Sequence, residues 1–188
     1  TAAWAYSTGA GVKVALIDDG FDSATTALYG DFDTALSRNF GVGGTTDLAE
    51  PSGGFHGTTT SGLIGAVGAS DLPAGLAPNA TIIGVKVTFG STPLSEYVSA
   101  LNYAASVGSV INNSFGFSGF GTGEPTGVAY ATWYAAIASA VTTGRAGLGD
   151  VIVMASGNGR GTASNVGLQP TGEDPRERVR RLQPVAAR

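Results

Sequence analysis

The sequence has 188 residues, a length that suits one domain with a continuous core. It contains no cysteine and one histidine, which excludes disulfides, thiolate catalysis and zinc sites built from several Cys or His ligands. The net charge of −4 gives no reason to expect a nucleic acid or an anionic membrane as a partner. The composition is rich in Gly, Ser, Thr and Ala and includes only two lysines, so we expect a secreted or extracytoplasmic protein.

Segments of two kinds alternate along the chain. Short apolar runs typical of buried strands occupy residues 12–18, 81–87, 109–114 and 150–156. Segments with helical features occupy residues 56–69, 93–108 and 127–144. The alternation predicts an α/β fold of three layers, with a mostly parallel sheet and helices on both of its faces. In such folds, ligands bind beyond the carboxyl ends of the strands.

Polar residues follow three of these four strands. The motif LIDDGFD carries Asp18 and Asp19, residues 112–114 are Asn-Asn-Ser, and MASGNGR carries Asn158. The only histidine, His56, begins the predicted helix of small residues in FHGTTTSG. A carboxylate, an imidazole and an amide between glycines are three of the four parts of an acyl-transfer site. Taken singly, each also has an ordinary explanation as a turn or helix-start residue.

Taken in order, VALIDDGFD, HGTTTSG, INNSFG and ASGNG resemble the motifs of the subtilisin-like serine proteases, over roughly residues 4–168. The double acid and ASGNG are more similar to the kexin branch than to subtilisin itself. The resemblance implies a secreted serine endopeptidase of subtilisin-like fold that acts on peptides in extended conformation and needs no organic cofactor. The order Asp, His, Ser along the chain is that of subtilisin.

The resemblance also implies roles for individual residues. Asp18 corresponds to the aspartate that orients the base, His56 to the general base and Asn158 to the donor to the oxyanion. Asp19 either shapes a subsite for basic residues or is a solvated neighbour. Backbone contacts to substrate are implied for two segments, which are Asn113, Ser114, Phe115 and Gly116, and Ala155, Ser156 and Gly157.

The nucleophile of the family lies in a late Gly-Thr-Ser motif, followed by three small residues and Pro, and this sequence has no such motif. Ser164 follows Asn158 by six residues and no helical pattern follows it, so we expect it in a loop. The composition also changes: residues 1–170 hold five Lys or Arg and eleven acids, whereas residues 171–188 hold five Arg and three acids. We therefore expect a truncated and inactive catalytic domain, incomplete at its C-terminus, in residues 1–170, with residues 171–188 as an Arg- and Pro-rich tail outside the fold.

Two alternatives belong to other classes of protein. A peptide-binding pseudoprotease would keep the substrate strand and lack the nucleophile. A nucleotide-binding domain would need a Gly-rich phosphate loop after the first strand, where the acidic DDGFDS would instead repel phosphate.

Two further departures from the family limit what the resemblance implies. Ala27 lies nine residues after Asp18, where many subtilases have a calcium-binding Asp, although Asp71 could supply an oxygen ligand elsewhere. A metal site is therefore unknown and a structural calcium ion stays open. SGGF precedes His56, where kexin-like enzymes have acids that recognise paired basic residues, so strict dibasic specificity is not expected.

Overall fold

The structure is a computed structural model that describes residues 2–26, 30–41, 47–68, 73–116 and 128–155. A short 3-10 helix, Ala2–Ala5, precedes the sheet. The strands are β1 (Lys13–Asp18), β2 (Arg38–Asn39), β3 (Thr81–Lys86), β4 (Val110–Asn113) and β5 (Val151–Met154). The helices are α1 (Ser23–Thr26), α2 (His56–Gly65), α3 (Leu94–Val107) and α4 (Val128–Gly147).

The five strands form one sheet in the order β2-β3-β1-β4-β5, and every pairing is parallel. All four predicted strands and all three predicted helices are present, which confirms the α/β prediction. The expectation that the strand at 150–156 is buried was wrong, because β5 lies at the edge of the described sheet and is mostly exposed. Parallel neighbours need crossover connections, and the helices between successive strands supply them. The described site residues at the carboxyl ends of β1, β4 and β5 therefore lie at one edge of the sheet.

Both faces of the sheet are covered by helices. On one face, Ala15 and Ile17 of β1 belong to a buried cluster that includes Leu101 of α3 and Trp133 of α4. On the other face, Val14 packs in a second cluster that Ile64 of α2 adjoins. Because β1 is buried on both sides, its residues from 14 to 18 are inaccessible, which explains its continuous apolar run.

Helix α2 contacts the sheet through its smallest side chains. Its buried positions are Gly57, Thr58, Ser61 and Gly65. A Cβ on Gly65 would lie 2.9 Å from the side chain of Ile82 on β3, and a Cβ on Gly57 would overlap the carbonyl oxygen of Gly20. The helix axis can therefore approach the sheet more closely than larger side chains would allow.

The structure differs from the sequence-based expectations at several element ends. Helix α2 ends at Gly65 instead of residue 69, because Ala66 turns to extended backbone at φ −59° and ψ 129°. In α4 the regular helical backbone stops before Gly144, as predicted, although Arg145 and Ala146 add a left-handed turn. The 3-10 helix, α1 and β2 were missed, since two to four residues are too short to show a hydrophobic period.

Asn113 is a polar residue in the apolar interior. Its side chain is buried, and neither its Nδ2 nor its Oδ1 has a hydrogen-bond partner within the part of the chain that the structure describes. On its two sides it pairs with Ile17 of β1 and Met154 of β5. Burying an amide without partners costs free energy, so Asn113 is a weak point of the fold.

Replacing Asn113 with Val should raise the free energy of unfolding by about 1–2 kcal/mol, because the unpaired amide is removed and Val suits a buried strand. Denaturant unfolding followed by circular dichroism would measure the change. The matched control is Asn112→Val, on the opposite face of β4, where the amide donates to Ser114 Oγ at 2.8 Å. That variant should be neutral or less stable, and a loss of stability in Asn113→Val would contradict the prediction.

Candidate active site

The register of the sheet brings the predicted site segments to one edge. Ile17 pairs with Asn113 on β4, and Asn113 pairs with Met154 on β5. Asp18, Ser114 and Ala155 are the next residues on these three neighbouring strands or directly beyond them. The carboxyl ends of β1, β4 and β5 therefore place these residues side by side.

Asp18 and His56 form a hydrogen-bonded pair at this edge. His56 Nδ1 lies 2.7 Å from Asp18 Oδ1, and the Asp18 carboxylate is fully buried whereas half of the imidazole is exposed. Asp18 Oδ1 also accepts a hydrogen bond of 2.8 Å from the backbone N–H of Asp19. Because the carboxylate accepts the Nδ1 proton, the neutral ring keeps its lone pair on Nε2. His56 can therefore act as a base on the side away from Asp18.

The pair changes the protonation properties of both groups. Burial raises the pKa of Asp18 to about 6, and the hydrogen bond from His56 is the strongest opposing influence. The hydrogen bond to Asp18 raises the pKa of His56 above its ordinary value, against the effect of its partial burial. At and above neutral pH, Asp18 is ionised and able to stabilise an imidazolium on His56.

Asp19 is held inside the structure and is not a solvated neighbour. It is 8% exposed, and its Oδ1 accepts a hydrogen bond of 3.0 Å from the backbone N–H of Gly57. Asp19 therefore connects Asp18, through its backbone N–H, with Gly57 in the first turn of the helix that carries His56, through its carboxylate.

The residues of the predicted substrate segments differ in burial and in backbone pairing. The carbonyl oxygen of Asn113 accepts the N–H of Ala155 at 2.9 Å, so this part of the segment is paired within the sheet. Ser114 and Phe115 are half-buried and Gly116 is exposed. The predicted site residues Ser156, Gly157 and Asn158 lie outside the described residues, so the roles implied for them stay predictions.

Aromatic side chains connect the imidazole with the core. The ring of Phe89, beyond β3, lies edge-on to His56 with centroids 6.0 Å apart and an interplanar angle of 74°. Phe89 also packs on Phe115 at 5.6 Å, and Phe115 packs on Tyr97 at 5.3 Å. Phe89 was not predicted as a site residue, because the rule that places sites beyond strand ends draws attention to polar residues. The sequence did contain one indication of its role, because Phe89 lies two residues after Val87, the last residue of a predicted strand.

The sequence reasoning also missed Glu50. Its Oε1 accepts a hydrogen bond of 3.1 Å from the backbone N–H of Thr58, in the first turn of α2. No motif marks Glu50, because it precedes His56 by six residues in an irregular segment.

One group of side chains among the described residues has ligand atoms close enough together for a metal ion. Asp18, Asp19 and His56 each offer an atom within 4.8 Å of the others. Asp18 Oδ1 and Asp19 Oδ1 already accept hydrogen bonds, two at Asp18 and one at Asp19, within the site. The geometry thus fits an acid–base pair better than a metal centre.

A buried carboxylate holds Nδ1 of a half-exposed imidazole at the carboxyl edge of a parallel α/β sheet, which is the arrangement by which a carboxylate orients a general base. The model of the subtilase family matches residues 9–177. The chain belongs to this family.

Relatives and solved structures agree with that assignment. The chain is 32% identical to kexin of Saccharomyces cerevisiae, over 81% of this chain and 19% of kexin. It is 32% identical to thermitase of Thermoactinomyces vulgaris, over 87% of this chain and 53% of thermitase. Among solved structures, a protease from Pseudoalteromonas arctica matches with a TM-score of 0.64 and 26% identity, over 83% of this chain and 52% of that one. The chain thus spans about a fifth of kexin and about half of thermitase.

The single histidine allows a direct test of the Asp18–His56 pair. An NMR pH titration of the 188-residue chain should give His56 a pKa above 6.5, and Asp18→Asn should lower this pKa, because the hydrogen bond to the carboxylate is the main cause of the shift. Since the folded-state pKa of His56 is raised, the stability that its protonation contributes is present below pH 6.5 and declines as the pH rises through the folded value. Below about pH 6 Asp18 becomes protonated, so the charged pair itself is lost there. An unchanged titration in Asp18→Asn would contradict the assigned pair.

Close packing at Gly57 leads to a second test. Gly57→Ala should lower the free energy of unfolding by about 1–3 kcal/mol, because its Cβ would overlap the Gly20 carbonyl and push α2 away from β1. Chemical denaturation would measure the loss. The control Thr59→Ala changes an exposed position in the same turn and should be neutral or slightly stabilising. Equal stabilities of the two variants would show that the space between Gly57 and the Gly20 carbonyl can accommodate a methyl group.

Proposed function

We propose that this chain provides the acid–base half of a serine endopeptidase centre that hydrolyses peptide bonds. The Asp18–His56 pair carries the proposal. His56 takes the proton of a serine hydroxyl as its oxygen attacks the scissile carbonyl, and returns it to the leaving amine when the C–N bond breaks. Water then enters by the same route and releases the acid product from the serine.

Two further residues complete the proposed mechanism. Asp18 keeps its charge and stabilises the imidazolium that forms on His56 in each transition state. Asn158 donates a hydrogen bond to the oxyanion of the tetrahedral intermediate, a role that rests on the ASGNG motif. The substrate is an extended peptide that pairs with backbone groups of residues 114–116.

We also propose that the nucleophile is not among these 188 residues, so the chain alone is inactive. The sequence lacks the Gly-Thr-Ser motif of the family. In the described residues, the hydroxyl groups of Ser61 and Ser114 are engaged with Thr58 O and Asn112 Nδ2, and no serine hydroxyl is hydrogen-bonded to His56. The same missing motif favours a second candidate, a peptide-binding pseudoprotease.

Specificity, location and metal content follow from fewer observations. One carboxylate oxygen of Asp19 accepts the hydrogen bond from Gly57 N–H, and SGGF contains no acid before His56. We therefore propose a substrate preference broader than paired basic residues, which the name of the fission yeast dibasic-processing endoprotease specifies.

We propose a location outside the cytoplasm, on the basis of the composition. No helix in the described ranges could cross a membrane. A structural calcium ion remains a proposal, because positions 27 and 71 lie outside the described residues.

The absence of a nucleophile has a direct test. The purified 188-residue chain should neither hydrolyse a fluorogenic casein substrate nor become labelled by a serine-directed fluorophosphonate, because no activated serine is available. Thermitase treated in the same way serves as the positive control. Labelling that disappears in His56→Ala would contradict the proposal and identify a serine within this chain.

The endopeptidase function itself can be tested in a chimera that replaces the matched part of thermitase with this chain. The chimera should hydrolyse peptides, and Asp18→Asn should reduce kcat by about 10⁴-fold, the order found when the aspartate of a serine protease triad is replaced. His56→Ala should reduce kcat at least as much. A folded chimera that binds a peptide aldehyde without turnover would favour the pseudoprotease instead.

A further inference from the structure

Helix α2 has little tendency to form by itself. Its ten residues, HGTTTSGLIG, include three glycines and three threonines, which are poor helix formers. The residue before it, Phe55, has φ −147° and ψ 17° and supplies no side-chain cap. The helix therefore needs partners from outside for the free N–H groups of its first turn.

Two carboxylates from other segments supply those partners. Asp19 Oδ1 accepts the N–H of Gly57 at 3.0 Å, and Glu50 Oε1 accepts the N–H of Thr58 at 3.1 Å. The next N–H, that of Thr59, donates to the carbonyl of Phe55 at 2.9 Å. Negative charge is favourable at a helix N-terminus, where the N–H dipoles point toward it. The caps of α2 are thus two acids separated from it in sequence.

We propose that Asp19 and Glu50 are positioning residues that hold His56 against Asp18 by capping α2 from outside the helix. The proposal rests on the proposed role of His56 as general base and extends it. His56 is the first residue of α2, so fraying of the first turn would move the imidazole directly. A shift of about 1 Å at such a group can cost on the order of 10²-fold in rate.

Asp19 makes two hydrogen bonds, one through its backbone and one through its side chain, and mutation can remove the second without the first. Its backbone N–H donates to Asp18 Oδ1, whereas its side chain holds the helix. Any substitution except proline keeps the first contact. A variant at position 19 therefore changes the helix cap and leaves the direct hydrogen bond to Asp18 available.

The closing experiment compares variants that remove the acceptor with variants that keep it. Asp19→Ala and Glu50→Ala remove the acceptor, whereas Asp19→Asn and Glu50→Gln keep an amide oxygen and lose only the charge. In the 188-residue chain, NMR should show the downfield Nδ1 proton of His56 weakened or lost in the Ala variants, with a lower pKa. The Asn and Gln variants should keep that proton. Glu96→Ala, which removes an acid from the first turn of α3, should match the wild type.

The thermitase chimera gives the second readout. Asp19→Ala and Glu50→Ala should each lower kcat by about 10- to 100-fold with little change in KM, and Asn and Gln should restore most of it. Wild-type His56 signals in folded Ala variants would overturn the proposal. If an Ala variant does not fold, rescue of the Nδ1 proton by Asn or Gln decides the question. An inactive wild-type chimera would instead count against the proposed function, because the NMR comparison does not depend on turnover.

Discussion

The close contact between the start of α2 and the end of β1 determines whether a catalytic pair can form. The carbonyl oxygen of Gly20 occupies the space that a Cβ on Gly57 would need. Because this position is glycine, the first turn of the helix can lie directly over the carboxyl end of β1. The imidazole of His56 then reaches the Asp18 carboxylate at 2.7 Å. A larger residue at position 57 would separate the two groups and leave a buried carboxylate without its partner.

Two polar side chains at this edge of the sheet are buried at a cost to stability. Asp18 is fully buried, and its Oδ2 has no hydrogen-bond partner in the part of the chain that the structure describes. Asn113, next to Ile17 on the adjoining strand, is also buried and unpaired there. Unsatisfied buried polar groups are costly, and at the carboxyl ends of strands they are typical of a functional site.

The sequence predicted the sheet, the three long helices and the Asp18–His56 pair, because each depends on a local pattern or a short motif. Continuous apolar runs identify strands, of which β1 and β3 are buried on both faces, and the carboxyl-end rule then places polar neighbours together. The capping contact of Glu50 and the ring contact of Phe89 with His56 were not predictable in this way. They join irregular segments to α2 through tertiary packing, and no spacing in the sequence encodes such a contact.

The hydrogen bonds that align the pair all lie within a short part of the chain. Asp18, Asp19 and Glu50 meet the first turn of α2 through hydrogen bonds among residues 18–58. The oxyanion donor and the nucleophile of a complete centre belong to later segments of the family pattern. None of the four hydrogen bonds that align the acid–base pair involves a residue beyond position 58, although β1 is itself held by β3 and β4 and α2 packs against β3. In the proposed function, this chain therefore supplies the acid–base pair from its first 58 residues and the oxyanion donor, Asn158, from a later segment.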